Sequence, residues 1–292
     1  MRREVRRTLY SLTPDYQRGI EADEYEVVLV DNGSREPLSA REVEGFGRGF
    51  RYFEIEDASP SPAAAMNFGV SQARGEMVTI CIDGARILSP GILAAVVRLA
   101  GKNPGRSVLV STLAWHLGPQ VQHLAMRDGY DEEVEDRLLG SIDWRRNGYE
   151  LFRVSCLAES SADGWFLSPS ESNCVSLLKR DYERLEGFDE SFVSPGGGLV
   201  NLDFFERAVA DPQMLYFCLL GEGTFHQVHG GVVTNAFVPP WQELETEYRR
   251  IRGRGYRMPS RKPICVGAVP SQAIEFFEHS ERRAASPGLS RH

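Results

Sequence analysis

The chain has 292 residues, 42% of them hydrophobic and 25% charged, the make-up of an ordinary globular protein large enough to bury a core without staples. Its 33 basic and 41 acidic side chains give a net charge of −8, which argues against a general nucleic-acid coat. Five scattered cysteines without a C-x-x-C pair, no apolar run near a membrane span and no signal-peptide core speak against a disulfide framework or a cysteine zinc site, and point to a cytoplasmic protein.

Periodicity predicts a helix over Arg3–Leu12, then a buried strand over Tyr25–Val30 closed by the turn signal Asp31-Asn32-Gly33-Ser34. A second strand is expected over Arg51–Ile55, a helix over Ser61–Ala73, and a nearly all-apolar strand over Met77–Ile82 ending on Asp83. A helix over Pro90–Ala100 and a strand over Ser107–Ala114 follow. This alternation indicates βαβ units and a mostly parallel central sheet with helices on both faces. Beyond residue 117 the pattern loosens: a helix near Glu132–Leu139, a strand over Ser172–Leu178, helices over Arg180–Leu185 and Leu202–Ala210, and a strand over Leu215–Leu220. Gly221 to Asn235 is dense in Gly and His, and residues 245–262 carry seven basic side chains. The end, Glu281–His292, reads as frayed.

Ligands of open parallel sheets sit outside the carboxyl ends of the strands, where this chain places Asp31 and Asp83. Taken singly each Asp reads as a turn cap; as a pair on one edge they read as binding groups for ribose or a metal–diphosphate.

The segment Glu26-Val-Val-Leu-Val-Asp-Asn-Gly-Ser34 resembles the "VVDDGS" signature of family 2 glycosyltransferases of the GT-A fold. The run from Asn67 through Gly75-Glu76 and Ile82-Asp83 to Pro90 is similar to that family's "N.G...A.GE.....D.D......P" pattern. Leu185–Glu190 resembles "lGGFDE", and Asp203–Arg207 the end of "EDxDLxxR". The resemblance implies an enzyme that transfers a sugar from a nucleotide-diphosphate sugar to a glycan, lipid-linked or small-molecule acceptor. In that reading Asp31, Asn32, Gly33, Ser34, Asn67, Asp83 and Arg86 bind the nucleotide-sugar. Asp83, His226 and His229 hold a divalent cation, Mn²⁺ or Mg²⁺, and Asp203 is the catalytic base. No nucleic-acid partner is expected.

The family's D-x-D reads Asp83-Gly84-Ala85, and its E-D pair aligns with Val200-Asn201, neither of which accepts a proton. Asp203 is the nearest remaining acid, either base or structural partner of Arg207 four residues on. Arg86 either neutralises diphosphate or faces solvent. His226 and His229 form H-x-x-H, a ligand pair or two hydrogen-bonding imidazoles. Glu171-Ser-Asn173 and Trp115, Trp144 and Trp165 suit an acceptor cleft, or, for the tryptophans, core packing. The altered motifs keep open the alternative of a catalytically impaired nucleotide-sugar-binding protein. The arginine-rich stretch is either a solvated helix or a peripheral contact with anionic lipid at the inner membrane face.

Residues 1–240 are expected to form one GT-A-like domain, with 1–116 as nucleotide-binding half and 117–240 as acceptor half. Residues 241–292 form a basic extension packed on it. The resemblance also implies an apolar strand ahead of the first helix, so the sheet is expected to lack that strand, through a misassigned start or a truncated chain, and to leave an edge open.

Overall fold

The computed structural model describes residues 1–229 and 241–286. Among them, nine strands and ten α-helices alternate irregularly. The strands are β1 (Val27–Asp31), β2 (Phe50–Glu54), β3 (Met77–Cys81), β4 (Arg86–Leu88), β5 (Val108–Leu117), β6 (Ser155–Leu157), β7 (Cys174–Leu178), β8 (Leu215–His226) and β9 (Ile264–Gly267). The helices of the first half are α1 (Arg2–Tyr10), α2 (Ala40–Glu44), α3 (Ala63–Gln72) and α4 (Ile92–Lys102). Those of the second are α5 (Gln122–Arg127), α6 (Glu132–Gly140), α7 (Lys179–Arg184), α8 (Val200–Ala210), α9 (Trp241–Arg252) and α10 (Ile274–Ala285).

Every strand expected from the pattern is present, but the sheet corrects the expectation of mostly parallel pairing. The main sheet runs β3-β7-β5-β8-β4, with β6 beside β5 and β9 beside β8. Only β5–β8 and β8–β9 within it are parallel; β3–β7, β5–β7, β5–β6 and β4–β8 are antiparallel. The antiparallel pairs all join strands far apart in sequence, so local pattern does not set their direction; the short turn Ile82–Ala85 links β3 and β4, which lie at opposite ends of the sheet order. A βαβ unit does occur at β1-α2-β2, whose strands are parallel, although the helix between them is not among those expected.

That pair stands apart as its own two-stranded sheet. One face packs through Val27 and Leu29 on Leu9 of α1, and α3 leans on β1 closely enough that a Cβ on Gly69 would lie 3.2 Å from Val30. Among the described residues no strand pairs with the second edge of β1 or of β3.

Two larger cores flank the main sheet. One gathers Phe188, Phe204, Phe205 and Tyr216 with Leu244 and Tyr248 of α9. The other centres on Trp115, Phe152, Trp165 and Phe225, with Phe276 and Phe277 of α10 against it. The C-terminal extension is therefore built into the molecule, and its strand β9 aligns with β8 from Phe217↔Ile264 to Leu220↔Gly267.

Strand β8 continues past the expected stop at Leu220 because Gly221 bends without ending it. Its φ is +73°, and a Cβ there would meet the Ala268 carbonyl oxygen at 2.2 Å. Between Ser111↔Cys218 and Leu113↔Gly223 the register slips, so β8 bulges against β5 and then resumes to His226. The resumed segment delivers His226 to the sheet end that carries Asp83.

Candidate functional site

Sheet register builds the centre of the site. His226 closes β8 opposite Arg86 of β4 and opposite His116 of β5, so three polar side chains share one row. Asp83 enters this row from the β3–β4 turn: its Oδ1 accepts the Ala85 N–H at 2.9 Å and its Oδ2 accepts Arg86 Nε–H at 2.8 Å. Arg86 is buried, with 8% of its side chain exposed, and so faces the carboxylate rather than solvent. Asp83 keeps 22% exposure. Ala85, where the family pattern has its second acid, is fully buried.

His226 Nε2 lies 4.0 Å from Asp83 Oδ2 and 3.1 Å from His229 Nε2, and the ligand atoms of the three side chains all fall within 4.8 Å of one another. Burial, reinforced by Arg86, pushes the His226 pKa down; burial also lowers that of His229, against the opposing pull of Asp83 and Glu4, and takes His116 to about 3. The imidazoles are therefore neutral near pH 7, the protonation state in which a ring nitrogen ligates a cation. Two neutral imidazoles and a part-exposed carboxylate make a donor set that fits a divalent ion.

Two devices hold this group. Gln122 of α5 donates its backbone N–H to His116 Nδ1 at 2.8 Å, and its Oε1 lies 2.5 Å from His226 Nδ1. With Nδ1–H donated to that oxygen, His226 turns its Nε2 lone pair toward Asp83 and His229. The His226–His229 turn is pinned in turn by Glu135 of α6, which accepts the Val228 N–H at 2.6 Å and pairs with Arg3 at 3.0 Å. Sequence reasoning missed both residues, because neither lies within a recognisable motif.

The Asp31–Ser34 turn forms at the end of β1, as expected. Asp31 Oδ1 accepts the Ser34 N–H at 2.7 Å, and Asn32 Nδ2 donates to Ser59 O at 2.8 Å. Gly33 has φ +79°, and a Cβ there would stand 2.7 Å from Ala58.

Two expected roles do not fit their surroundings. Asn67 spends both amide hydrogens on Phe188 O and Glu190 Oε1, and its oxygen accepts from Tyr182 Oη and the Phe188 N–H. With its donors and acceptor engaged, it fastens the Gly187–Glu190 turn rather than offering itself to a nucleotide. Asp203 has 1% side-chain exposure: Oδ1 accepts from Arg252 Nε at 2.5 Å, and Oδ2 from Arg207 Nε at 2.9 Å and Arg252 Nη2 at 2.6 Å. A carboxylate sealed between two guanidiniums has no path to an acceptor hydroxyl. The geometry is that of the structural alternative.

The tryptophans resolve the same way. Trp115, Trp144 and Trp165 are at most 2% exposed and form core, leaving no ring face for a sugar. Much of the arginine-rich stretch also turns inward. Arg252 pairs with Asp189 as well as Asp203, Arg254 with Glu206, and Arg261 donates to the Asp211 and Met214 carbonyls. A polar recess of about 370 Å³ opens elsewhere, between the Glu186–Glu190 turn and Arg207 and Arg252, and none of its walls belongs to the Asp83 group.

Among known proteins, the model of glycosyl transferase family 2 matches residues 2–157, and the fold class, α/β of the GT-A type, is that family's. An uncharacterized protein of Sinorhizobium fredii, y4gI, is 33% identical over 103 residues, which is 34% of this chain but 11% of that relative. The chain is also similar to S. aureus TarS 1–349 in complex with UDP-GlcNAc, at 14% identity and TM-score 0.49, covering 99% of this chain and 73% of that one. For the same protein in complex with UDP the values are 15% identity and TM-score 0.45, over 78% and 57%.

Proposed function

The chain belongs to glycosyl transferase family 2, and from that membership we propose that it transfers a sugar from a nucleotide-diphosphate sugar to an acceptor hydroxyl in glycan biosynthesis. The observation that carries the reading is the meeting of Asp83, His226 and His229 at one sheet end, with Arg86 behind the carboxylate. Asp83, His226 and His229 would hold a divalent cation, which would supply charge neutralisation at a leaving diphosphate. The protein's own part is to fix that centre through Gln122 and to keep the imidazoles neutral by burial. The Asp31–Ser34 turn offers the nucleoside a carboxylate and backbone groups at the end of β1. Residues 1–116 accordingly supply the donor half and the following residues the acceptor half. No helix among the described residues is long and apolar enough to cross a membrane; the acceptor is met in the cytoplasm, with peripheral lipid contact left to basic side chains not tied inward.

A panel of nucleoside diphosphates with and without Mn²⁺ tests the reading by thermal shift, followed by nucleotide release from the matching sugars. At least one diphosphate should raise Tm, and more so with Mn²⁺; a ligand at 100 times its Kd stabilises by about 2.7 kcal/mol. Stabilisation by none of them would sink the proposal. One observation favours a second reading, binding without turnover: Ala85 and Asn201 stand where the family pattern has acids. Stabilisation without any nucleotide release would support it.

A further inference from the structure

Asn201, in the first turn of α8, occupies the place of the acid missing from the family's E-D pair, and its side chain is engaged. Its Nδ2 donates to Glu171 Oε2 at 2.6 Å and to Asn173 Oδ1 at 3.3 Å, while Asn173 Nδ2 donates to Glu171 Oε1 at 3.3 Å. Both asparagines are buried, whereas Glu171 is only half-buried. A carboxylate is thus held beside the start of α8 by two neutral amides, with lone pairs to spare on both oxygens.

The backbone brings this carboxylate to the right end of the sheet. Antiparallel β3 and β7 align Cys81 with Cys174, and the next bond, Ile82 N–H to Asn173 O at 3.4 Å, carries the pairing to the residue before Asp83. Ser172 anchors the segment: at the irregularity in β5 its hydroxyl accepts the Thr112 N–H at 3.2 Å and lies 3.1 Å from the Thr112 carbonyl. Glu171 is therefore fixed three residues before the start of β7, at the sheet end that bears Asp83.

We propose that Glu171 is the base that activates the acceptor, taking over in space the carboxylate that the Val200-Asn201 position has lost. This assignment rests on the transferase reading above. The acceptor hydroxyl gives its proton to a Glu171 carboxylate oxygen as the acceptor oxygen bonds to the anomeric carbon. The bond from that carbon to the diphosphate oxygen breaks, and its electron pair leaves on the nucleoside diphosphate. One displacement of this kind inverts the anomeric centre. The buried acids among the described residues are committed elsewhere: Asp203 to two arginines, Glu135 to Arg3 and Val228, Glu222 to Ser89, Gly91 and Tyr149, Glu4 to Arg3, and Asp181 to Ser107 and Arg184. Glu171 combines partial exposure, neutral partners and the place of the missing acid.

The test uses the full chain and lets water stand in for the acceptor. Wild type, Glu171→Gln and Glu171→Ala are incubated with Mn²⁺ and a panel of UDP-, GDP- and dTDP-sugars, and released nucleoside diphosphate is measured. Glu171→Gln should lose about 100- to 10,000-fold in release, the usual worth of a general base, with the nucleotide-induced thermal shift kept. Formate, small enough to fill the space left in Glu171→Ala, should restore part of the rate. Release by Glu171→Gln at the wild-type rate overturns the assignment alone, as does loss of the thermal shift together with release, or failure of formate to rescue a variant that still binds nucleotide. If wild type releases nucleotide from no sugar of the panel, the transferase reading falls and takes the assignment with it.

Discussion

Asp83 and Asp203 are both aspartates beside arginine, and the surroundings of each decide what the carboxylate is for. Asp83 sits in a turn at a strand end, meets one guanidinium and two neutral imidazoles, and keeps a fifth of its side chain in contact with solvent. Asp203 sits in the first turn of α8, meets two guanidiniums that engage both its oxygens, and keeps almost none. The first has coordination capacity left over; the second has none. An acid in a family motif is therefore not by itself a working group, since arginine saturation turns it into a clasp. Here the clasp joins α8 to α9 and so ties the C-terminal extension to the core.

Asp83→Asn should produce the largest separation between the two. Nucleotide release should fall about 100- to 1,000-fold, the cost of removing one electrostatic contact to a transition state, with a smaller stability loss than at Asp203. A variant that unfolds but keeps its specific activity would reverse the comparison. Asp203→Asn should do the opposite: two partly buried guanidiniums lose their counter-charge, costing about 3 kcal/mol and lowering Tm by roughly 6–12 °C. An unchanged Tm together with lost activity would return Asp203 to the chemistry.

A third measurement sharpens the contrast through pH. Burial lowers the pKa of His116 to about 3 and also lowers those of His226 and His229. Below about pH 6.5 the unfolded chain takes up protons that the folded imidazoles refuse, so stability falls as pH falls. The slope reaches about 1.4 kcal/mol per pH unit for each imidazole. Urea midpoints between about pH 7.5 and 5 should decline accordingly, and a flat profile would count against neutral histidines beside Asp83. Gly33→Ala should show the smallest effect, a Tm loss worth about 1–2 kcal/mol from the positive φ and the close approach of Ala58. A neutral outcome there would mean that the Asp31–Ser34 turn relaxes freely and is a poor platform for a nucleoside.

Apolar runs such as Met77–Cys81 and Val108–Leu117 made the strands legible in the sequence, and the Asp-Asn-Gly-Ser turn made the end of β1 legible. Strand direction was not, because it depends on which strands, distant in sequence, come to lie side by side; β4, β6 and β9 are short and carry little pattern of their own. In the site, Asp83 and H-x-x-H could be named from their spacing, and Arg86 from its place next to the altered triplet. The Glu171–Asn201 contact spans 30 residues and becomes visible only once β7 and the start of α8 are side by side. Its one sequence signal was an acid two residues before an asparagine near the predicted strand. Trp115 and Trp165 misled for the opposite reason: composition registers an aromatic ring but not which side of a sheet it fills.

The 3.1 Å contact between His226 Nε2 and His229 Nε2 has a consequence for how a cation enters. Gln122 already takes the His226 Nδ1–H, so the one hydrogen shared between the two rings belongs to His229. A cation held by both rings would need that nitrogen free, so His229 would carry its proton on Nδ1 instead, a change of tautomer with no change of charge. Binding at the two histidines would then relocate a proton inside one side chain.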